Sequence, residues 1–369
     1  MKGFVLLVSN DRKAFLARLP LIEAARRAGY RVEAALPPGP PIPGLVTHDW
    51  ALDRRGLGPL SQWRALRQLE AMYRQLQPDL VHHFTMKPVA FGGIAARRCG
   101  IPAVHSVTGL GYVFLGRRPV LRRVVEALLR RALRPARAVV FQNGDDRDLF
   151  VRRRLVDPER CVLIAGSGVD LEAFQPAPEP PGVPVVAFIG RLLSDKGVHD
   201  FVAAARILRS AGTPARLVLV GGPDAGNPAS VTAGRVDEWE AEGAVEAWGW
   251  SDDMAATLAS CHIACLPSYR EGVPRALLEA AASGRPSIAT DVPGCRDAVV
   301  DGVTGLLVPV RDPARLAEGI VKLAGDAALR SRMGNAARRL AEERFGADGV
   351  HARILDVYAR ALAAPRPPT

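Results

Sequence analysis

Short apolar runs alternating with longer amphipathic stretches constrain this chain more than any other feature. FVLLVS is followed by LARLPLIEAARRAGY, RVEAAL, LSQWRALRQLEAMYRQL and DLVHHF, and GIPAVHSV, VLRRVVEALLRRAL and RAVVFQN carry the pattern to CVLIAGSGVD. A buried strand needs only a short apolar run, whereas a crossover helix needs an apolar stripe at helical spacing. The alternation therefore predicts parallel strands joined by helices. Proline breaks all periodicity in QPAPEPPGVP, residues 175–184, and the pattern restarts at VVAFIG. DFVAAARILRSAG, ARLVLVGG, AVEAWGW, MAATLASC, HIACLPS, RALLEAAASG, PSIAT and GLLVP then follow before the closing helices.

The chain is thus read as α/β, with two doubly wound, Rossmann-like domains at 1–174 and 185–346 and a hinge at 175–184. A closing helix at about 347–364 is assigned to the first domain. Its 369 residues, 48% hydrophobic, suffice for two such cores. Ligands of doubly wound sheets bind outside the carboxyl ends of the strands, so two facing sheets place the site in the cleft between them.

The N-terminal MKGFVLLVSNDRK has too short an apolar run for a secretory signal, and no stretch is long and apolar enough to span a bilayer. Five cysteines lack the paired spacing of a zinc site or a disulfide scaffold, which fits a reducing cytoplasm. The net charge of +11 admits nucleic acid, an anionic surface or a phosphate-rich substrate. Part of the excess can also reflect a composition rich in arginine, and nucleic acid is the least favoured partner because aromatics are few and no stacking platform accompanies the arginines.

Three strand ends carry the chemistry. In GRLLSDKG, residues 190–197, a strand ends at Gly190 and the loop presents Arg191 and Lys196, which can neutralise a diphosphate without a metal. LVGGPDAG ends another strand in Gly221 and Gly222, a weaker signal on its own. SYREGVPRALLEA sets Glu271 before a helix and Glu279 inside it. Gly272 permits close approach, Pro274 suits the first turn, and the amides of Gly272, Val273 and Arg275 would face an anion. Eight residues of helical rise separate the glutamates by roughly 10 to 12 Å. That is too wide for an acid and nucleophile sharing one bond, and it suits two hydroxyl-rich groups held at opposite ends of a diphosphate.

This glutamate pair, the basic loop and SGVDLEAF at 167–174 together resemble the retaining GT-B glycosyltransferases of family 4. HHFTMKPVAFGG at 82–93 and HSVTGLGYVF at 105–114 are similar to a bacterial subgroup that builds lipid-linked glycan intermediates, often from UDP-linked hexoses or N-acetylhexosamines. The resemblance implies that Arg191 and Lys196 bind the donor diphosphate, that Glu279 holds the ribose, and that Glu271 contacts the donor sugar. The amides of Gly272 and Val273 assist, and Trp248 and Gly249 line the base. Glu271, Arg191 and Lys196 form the catalytic set. A short-lived ion pair, with the leaving phosphate helping to deprotonate the acceptor, needs no protein nucleophile, cofactor or metal.

The chain departs from the family pattern in two places. Ser9, Asn10 and Asp11 stand where many relatives place a glycine pair, and Thr108 replaces a histidine before Gly109. His83 or its neighbour His82, at a strand end, is expected to face the acceptor, Lys87 an acceptor phosphate, and Thr108 and Gly109 the acceptor where it meets the reacting sugar. His105 is read as a core residue. Asp146 and Asp148 suit a helix start better than a cation.

Residues 116–137 set Leu121, Val124, Val125, Leu128, Leu129, Ala132 and Leu133 on one helical face, flanked by arginines. Such a helix can lie on an anionic membrane and bring a lipid-linked acceptor to a cytoplasmic enzyme at the inner face. The same stripe serves an ordinary core-facing crossover helix, so both readings stand. A nucleotide-sugar epimerase, or a non-catalytic nucleotide-sugar-binding or assembly protein, is the competing function. A dinucleotide oxidoreductase is disfavoured because GxGxxG is absent after the first strand.

Overall fold

The computed structural model describes residues 2–52, 58–109, 119–224 and 227–365. The chain divides into two compact units, Met1–Ser167 with Asp348–Thr369, and Gly168–Ala347.

The first unit holds a parallel sheet of β1 (Gly3–Val8), β2 (Tyr30–Leu36), β3 (Thr47–Asp49), β4 (Leu80–Phe84), β5 (Ala103–Val107), β6 (Ala138–Phe141) and β7 (Cys161–Leu163). Their order is β3-β2-β1-β4-β5-β6-β7. The second holds β8 (Val185–Ile189), β9 (Arg216–Val220), β10 (Glu246–Gly249), β11 (Ile263–Leu266), β12 (Ser287–Thr290) and β13 (Gly305–Val308), in the order β10-β9-β8-β11-β12-β13. Helices cover the faces, which is why β4, β5, β8, β11 and β12 are buried at every position; β8 and β11 read as continuous apolar runs, whereas β4, β5 and β12 carry buried polar residues. In each sheet the direction of winding reverses once, between β1 and β4 and between β8 and β11. The short strand β3, which follows a proline-rich stretch, has no apolar run of its own and was not expected from the sequence.

The expected hinge is fastened to the second unit. Arg285 Nη2 donates to Pro178 O at 3.0 Å, His262 Nε2 to Pro180 O at 2.9 Å, and Arg330 forks onto both oxygens of Glu179 at 2.8 and 2.7 Å. Residues 168–174 are tied there too: Val169 exchanges backbone hydrogen bonds with Phe345 and Ala347, both 2.9 Å, and Arg338 Nη1 donates to Phe174 O at 2.7 Å. The change of unit therefore falls at Ser167–Gly168 rather than at 175–184. Proline removes helical and strand periodicity, but here its carbonyls remain acceptors, for the buried Arg285 at Pro178 and for His262 at Pro180.

The helix Ala347–Ala363 completes the first unit. Val350, Ile354, Val357, Tyr358 and Ala361 join a core that includes Val5, Leu7, Ile22, Val32 and Phe84. Beside it lies a buried polar network. His82 Nδ1 pairs with Tyr358 OH at 2.7 Å and its Nε2 with Ser106 Oγ at 2.8 Å. His83 Nε2 pairs with Tyr73 OH at 2.7 Å and its Nδ1 with His105 Nδ1 at 3.2 Å, the two rings stacked. A Cβ at Gly92 would lie 2.1 Å from the His83 ring, so the helix Met86–Arg98 presses directly on it. His83 is fully buried and cannot meet an acceptor, which corrects the expectation for that residue. The alternation that turns one of two adjacent strand residues outward exposes neither here, because helices cover both faces of β4.

Burial lowers all three histidine pKa values, that of His105 to about 3. The native unit holds them neutral, whereas the unfolded chain takes up protons below about 6.5. Their contribution to stability is complete above that value and is lost as pH falls toward the folded pKa, at roughly 1.4 kcal/mol per pH unit for each histidine. Denaturant titrations should show the first unit about 4 kcal/mol less stable at pH 5.5 than at pH 8. Equal midpoints at the two pH values would contradict this.

Candidate functional site

The reversal between β8 and β11 makes the loops leaving these strands turn to opposite sides, which opens space at their carboxyl ends. The loop after β8 carries Arg191 and Lys196, and the loop after β11 carries Glu271. Glycines let the two loops and their neighbour after β9 touch. A Cβ at Gly221 (φ 135°) would lie 2.0 Å from Gly190 O, and one at Gly197 (φ 76°) would lie 2.0 Å from Pro267 O. Tyr269 N–H donates to Asp195 O at 2.9 Å and Ser268 Oγ to the same oxygen at 3.2 Å, so the β8 and β11 loops are bonded directly.

Lys196 Nζ donates to Glu271 Oε1, and their side chains are 22% and 10% exposed. Arg191 Nη1 donates to Asp224 Oδ2 at 2.6 Å. Each cation thus already holds a carboxylate, and each retains further N–H donors for a second anion.

Gly294 supplies a contact that the sequence reading missed. Its φ is 81°, and a Cβ there would lie 1.7 Å from Gly272 O, so the turn after β12 supports the backbone that follows Glu271. The dipeptide Pro-Gly in DVPGC was the available signal, though such a pair more often marks a plain turn.

Pro274 stands at the N-cap rather than in the first turn, and the helix is Arg275–Ala282. A residue before proline is held extended, which keeps Val273 out of the helix. The first-turn amides are therefore those of Arg275 and Ala276, while Gly272 and Val273 precede it; Leu277 N–H already bonds to Pro274 O at 3.0 Å. Glu279 lies on the covered side of this helix at 8% exposure, with Arg275 Nε donating to its Oε1 at 2.6 Å. Burial raises its pKa, and Arg275 opposes the rise.

A carboxyl whose folded pKa is raised adds stability below its unfolded pKa and loses that contribution as pH rises through the folded value. Glu279 is thus a cost at neutral pH. Glu279→Gln should raise the melting temperature of the second unit by a few degrees at pH 7.5, about 1 kcal/mol, and less at pH 4. A lower melting temperature at pH 7.5 would show that Arg275 outweighs burial.

Trp248, expected beside a base, is half-buried on the edge strand β10 with Nε1 turned to Glu246 Oε2 at 3.4 Å, and Gly249 (φ 70°) ends that strand. Trp250 is the indole at the Gly221–Gly222 turn. It is 60% exposed, and a Cβ at Gly222 would lie 2.4 Å from its Nε1.

In the first unit, Lys87 is half-buried in the first turn of Met86–Arg98, and Thr108 and Gly109 follow β5. Thr108 lines a small pocket with Arg18, Ser106, Gln142, Ser167 and His351. The loops after β1 and β4 meet where Thr85 Oγ1 donates to Asn10 Oδ1 at 2.7 Å, and Thr85 carries a φ of 72° that a branched side chain rarely adopts. Asn143 caps the helix Gly144–Arg152, with Asp146 buried in its first turn. Asp148 pairs with Arg147. Residues 110–114 and 116–118 of the expected motifs lie outside the described residues. In the helix Pro119–Leu133, Leu129, Ala132 and Leu133 face the core while Val120 and Val124 are exposed, so Val124 leaves the expected apolar face. No described helix is long and apolar enough to cross a membrane.

The model of glycosyl transferases group 1 matches residues 183–326, and that of the glycosyl transferase 4-like family matches residues 4–143. The N,N'-diacetylbacillosaminyl-diphospho-undecaprenol alpha-1,3-N-acetylgalactosaminyltransferase of Campylobacter jejuni is 28% identical over 86% of this chain and 87% of its own. A D-inositol 3-phosphate glycosyltransferase of Catenulispora acidiphila is 30% identical over 93% of this chain and 89% of its own. Among solved structures, Anabaena HepE in complex with UDP-glucose superposes with a TM-score of 0.80 at 19% identity, covering 97% of this chain and 99% of that one.

Proposed function

The chain belongs to the group 1 glycosyltransferases and has the GT-B fold, and on that premise we propose that it moves a hexose or N-acetylhexosamine from a UDP-linked donor to a lipid-linked saccharide, with retention, in cell-surface glycan synthesis. The observation that carries this reading is the pairing of Lys196 with Glu271 between the loops after β8 and β11, with Arg191 on the same β8 loop, where the second sheet reverses. A nucleotide sugar presents a diphosphate flanked by a ribose and a hexose. Two cations, each already paired with a carboxylate (Asp224 and Glu271), and Glu279 on the adjacent helix supply groups for that order.

Arg191 and Lys196 take the diphosphate and stabilise the charge that grows on it as the glycosidic bond breaks. Glu271 accepts from hydroxyls of the donor sugar, and Glu279 from the ribose. With these cations in place the leaving group is neutralised without a metal, and the departing phosphate takes the acceptor proton on the same face. Lys87, Thr108 and Gly109 serve the acceptor. The names of the Campylobacter relative and of Anabaena HepE support a lipid-linked acceptor and a UDP-linked donor. Exposed Val120 and Val124 among Arg122 and Arg123 support peripheral docking on an anionic inner leaflet. The inositol-phosphate relative favours a second acceptor class, a soluble phosphorylated polyol, which Lys87 would also suit.

Titration of the full chain with UDP, GDP and ADP tests the donor. UDP-hexoses and UDP-N-acetylhexosamines are then offered with undecaprenyl-diphosphate saccharides or inositol phosphate, in the presence of EDTA, and the product anomer is read by NMR. UDP binding followed by α-linked product supports the proposal. Binding without transfer favours the non-catalytic alternative, and a folded protein that binds no nucleotide overturns the donor site.

A further inference from the structure

Asp224 lies in LVGGPDAG, where the sequence pointed only to Gly221 and Gly222, yet it holds the cation on which the proposed donor site depends. Its Oδ2 accepts from Arg191 Nη1 at 2.6 Å and from Asn227 Nδ2 at 3.1 Å, and its own N–H donates to Ser230 Oγ at 2.9 Å. The segment that carries it is bonded along the Arg191 loop by its backbone. Leu192 N–H donates to Gly222 O at 3.1 Å, Ser194 N–H to Ala229 O at 2.7 Å, and Val231 N–H to Leu192 O at 3.0 Å. Asp224 therefore stands on a frame fixed relative to Arg191, and its carboxylate is itself anchored.

We propose that Asp224 is a positioning residue that holds the Arg191 guanidinium in the orientation that meets the donor diphosphate. The inference rests on the donor reading given above. An arginine has five N–H donors in a rigid fork, and Asp224 engages only one terminal nitrogen, leaving the opposite edge for phosphate. An unanchored arginine would have to lose its rotamer freedom on binding, whereas one held in advance has already done so. A carboxylate beside a phosphate site also repels the ligand, so the two effects have opposite signs. Three features favour positioning: Asp224 meets one nitrogen rather than forking across two, it is itself held by Asn227, and Arg191 remains 36% exposed for a second partner.

The test is isothermal titration of the full chain with UDP, GDP and ADP for the wild type, Asp224→Asn, Arg191→Ala and the double variant, with donor and acceptor KM measured alongside. Asp224→Asn should weaken binding of the preferred diphosphate about tenfold and raise donor KM with acceptor KM unchanged. It should have no further effect in the Arg191→Ala background. Asp224→Ser, smaller and uncharged, should repeat the result if the amide introduces a contact of its own. Unchanged or tighter binding by Asp224→Asn, or an equal loss with and without Arg191, overturns the inference while leaving the donor reading intact. A folded wild type that binds none of the three diphosphates removes the donor reading first, and this inference with it.

Discussion

Lys196→Ala is expected to lower kcat/KM for the nucleotide sugar by two to three orders of magnitude, corresponding to about 3 to 4 kcal/mol of lost transition-state stabilisation. Lysine is a compact charge, and Lys196 sits mostly covered between the exits of β8 and β11, where water competes poorly for it. Its loss has a second effect, because Glu271 is left as a 10% exposed carboxylate without its ion-pair partner where a phosphate must enter. Lys196→Ala/Glu271→Gln should therefore be less damaged than the product of the single effects, since removing the carboxylate charge relieves that repulsion. The variant should fold, because exchange of a partly solvated ion pair leaves the β8–β11 core untouched. Steady-state kinetics with a thermal melt decides the matter. A loss below tenfold with an unchanged melt would mean that Lys196 does not touch the donor.

Gly294→Ala should be nearly as severe through geometry alone. The added methyl group would stand 1.7 Å from Gly272 O at a φ of 81°, and the obstacle is backbone rather than the flexible end of a side chain. Either the turn after β12 or the chain at 271–273 has to move by more than an ångström. We expect a loss of about 3 kcal/mol or more in the second unit, combining conformational strain with overpacking. At temperatures where the variant remains folded, nucleotide affinity should fall at least tenfold because Glu271 and the following turn are displaced. Normal affinity together with a normal melt would mean that the two turns are not held as tightly as this contact requires.

The strands and most crossover helices were legible because both sheets are covered on both faces, so buried strands are mostly apolar, interrupted in β4 and β5 by residues that hydrogen-bond within the core. The basic loop and the two glutamates were legible for the opposite reason, as charges at the ends of apolar runs. Other features left no such trace. Asp224 and Gly294 act through neighbours distant in sequence, and neither residue type is unusual in a turn. His83 misled because an adjacent pair at a strand end suggests one outward side chain, whereas helices on both sides enclose both. The proline stretch misled because irregular backbone was equated with freedom, while the pairing of Glu179 with Arg330 can be seen only after folding.

The first unit is built from two separated parts of the chain, with the whole of Gly168–Ala347 inserted between them. The bond between His82 and Tyr358 closes across 276 positions. During synthesis the ribosome must therefore make the second unit entire before the first can acquire its last helix. A premature stop shortly before Ala347 would damage the unit made first, leaving Leu7, Ile22 and Val32 without the cover of Val350, Ile354 and Val357, while the second unit would retain its own core. Nascent chains of increasing length should accordingly become protease-resistant in the reverse of their order of translation, the second unit before the first.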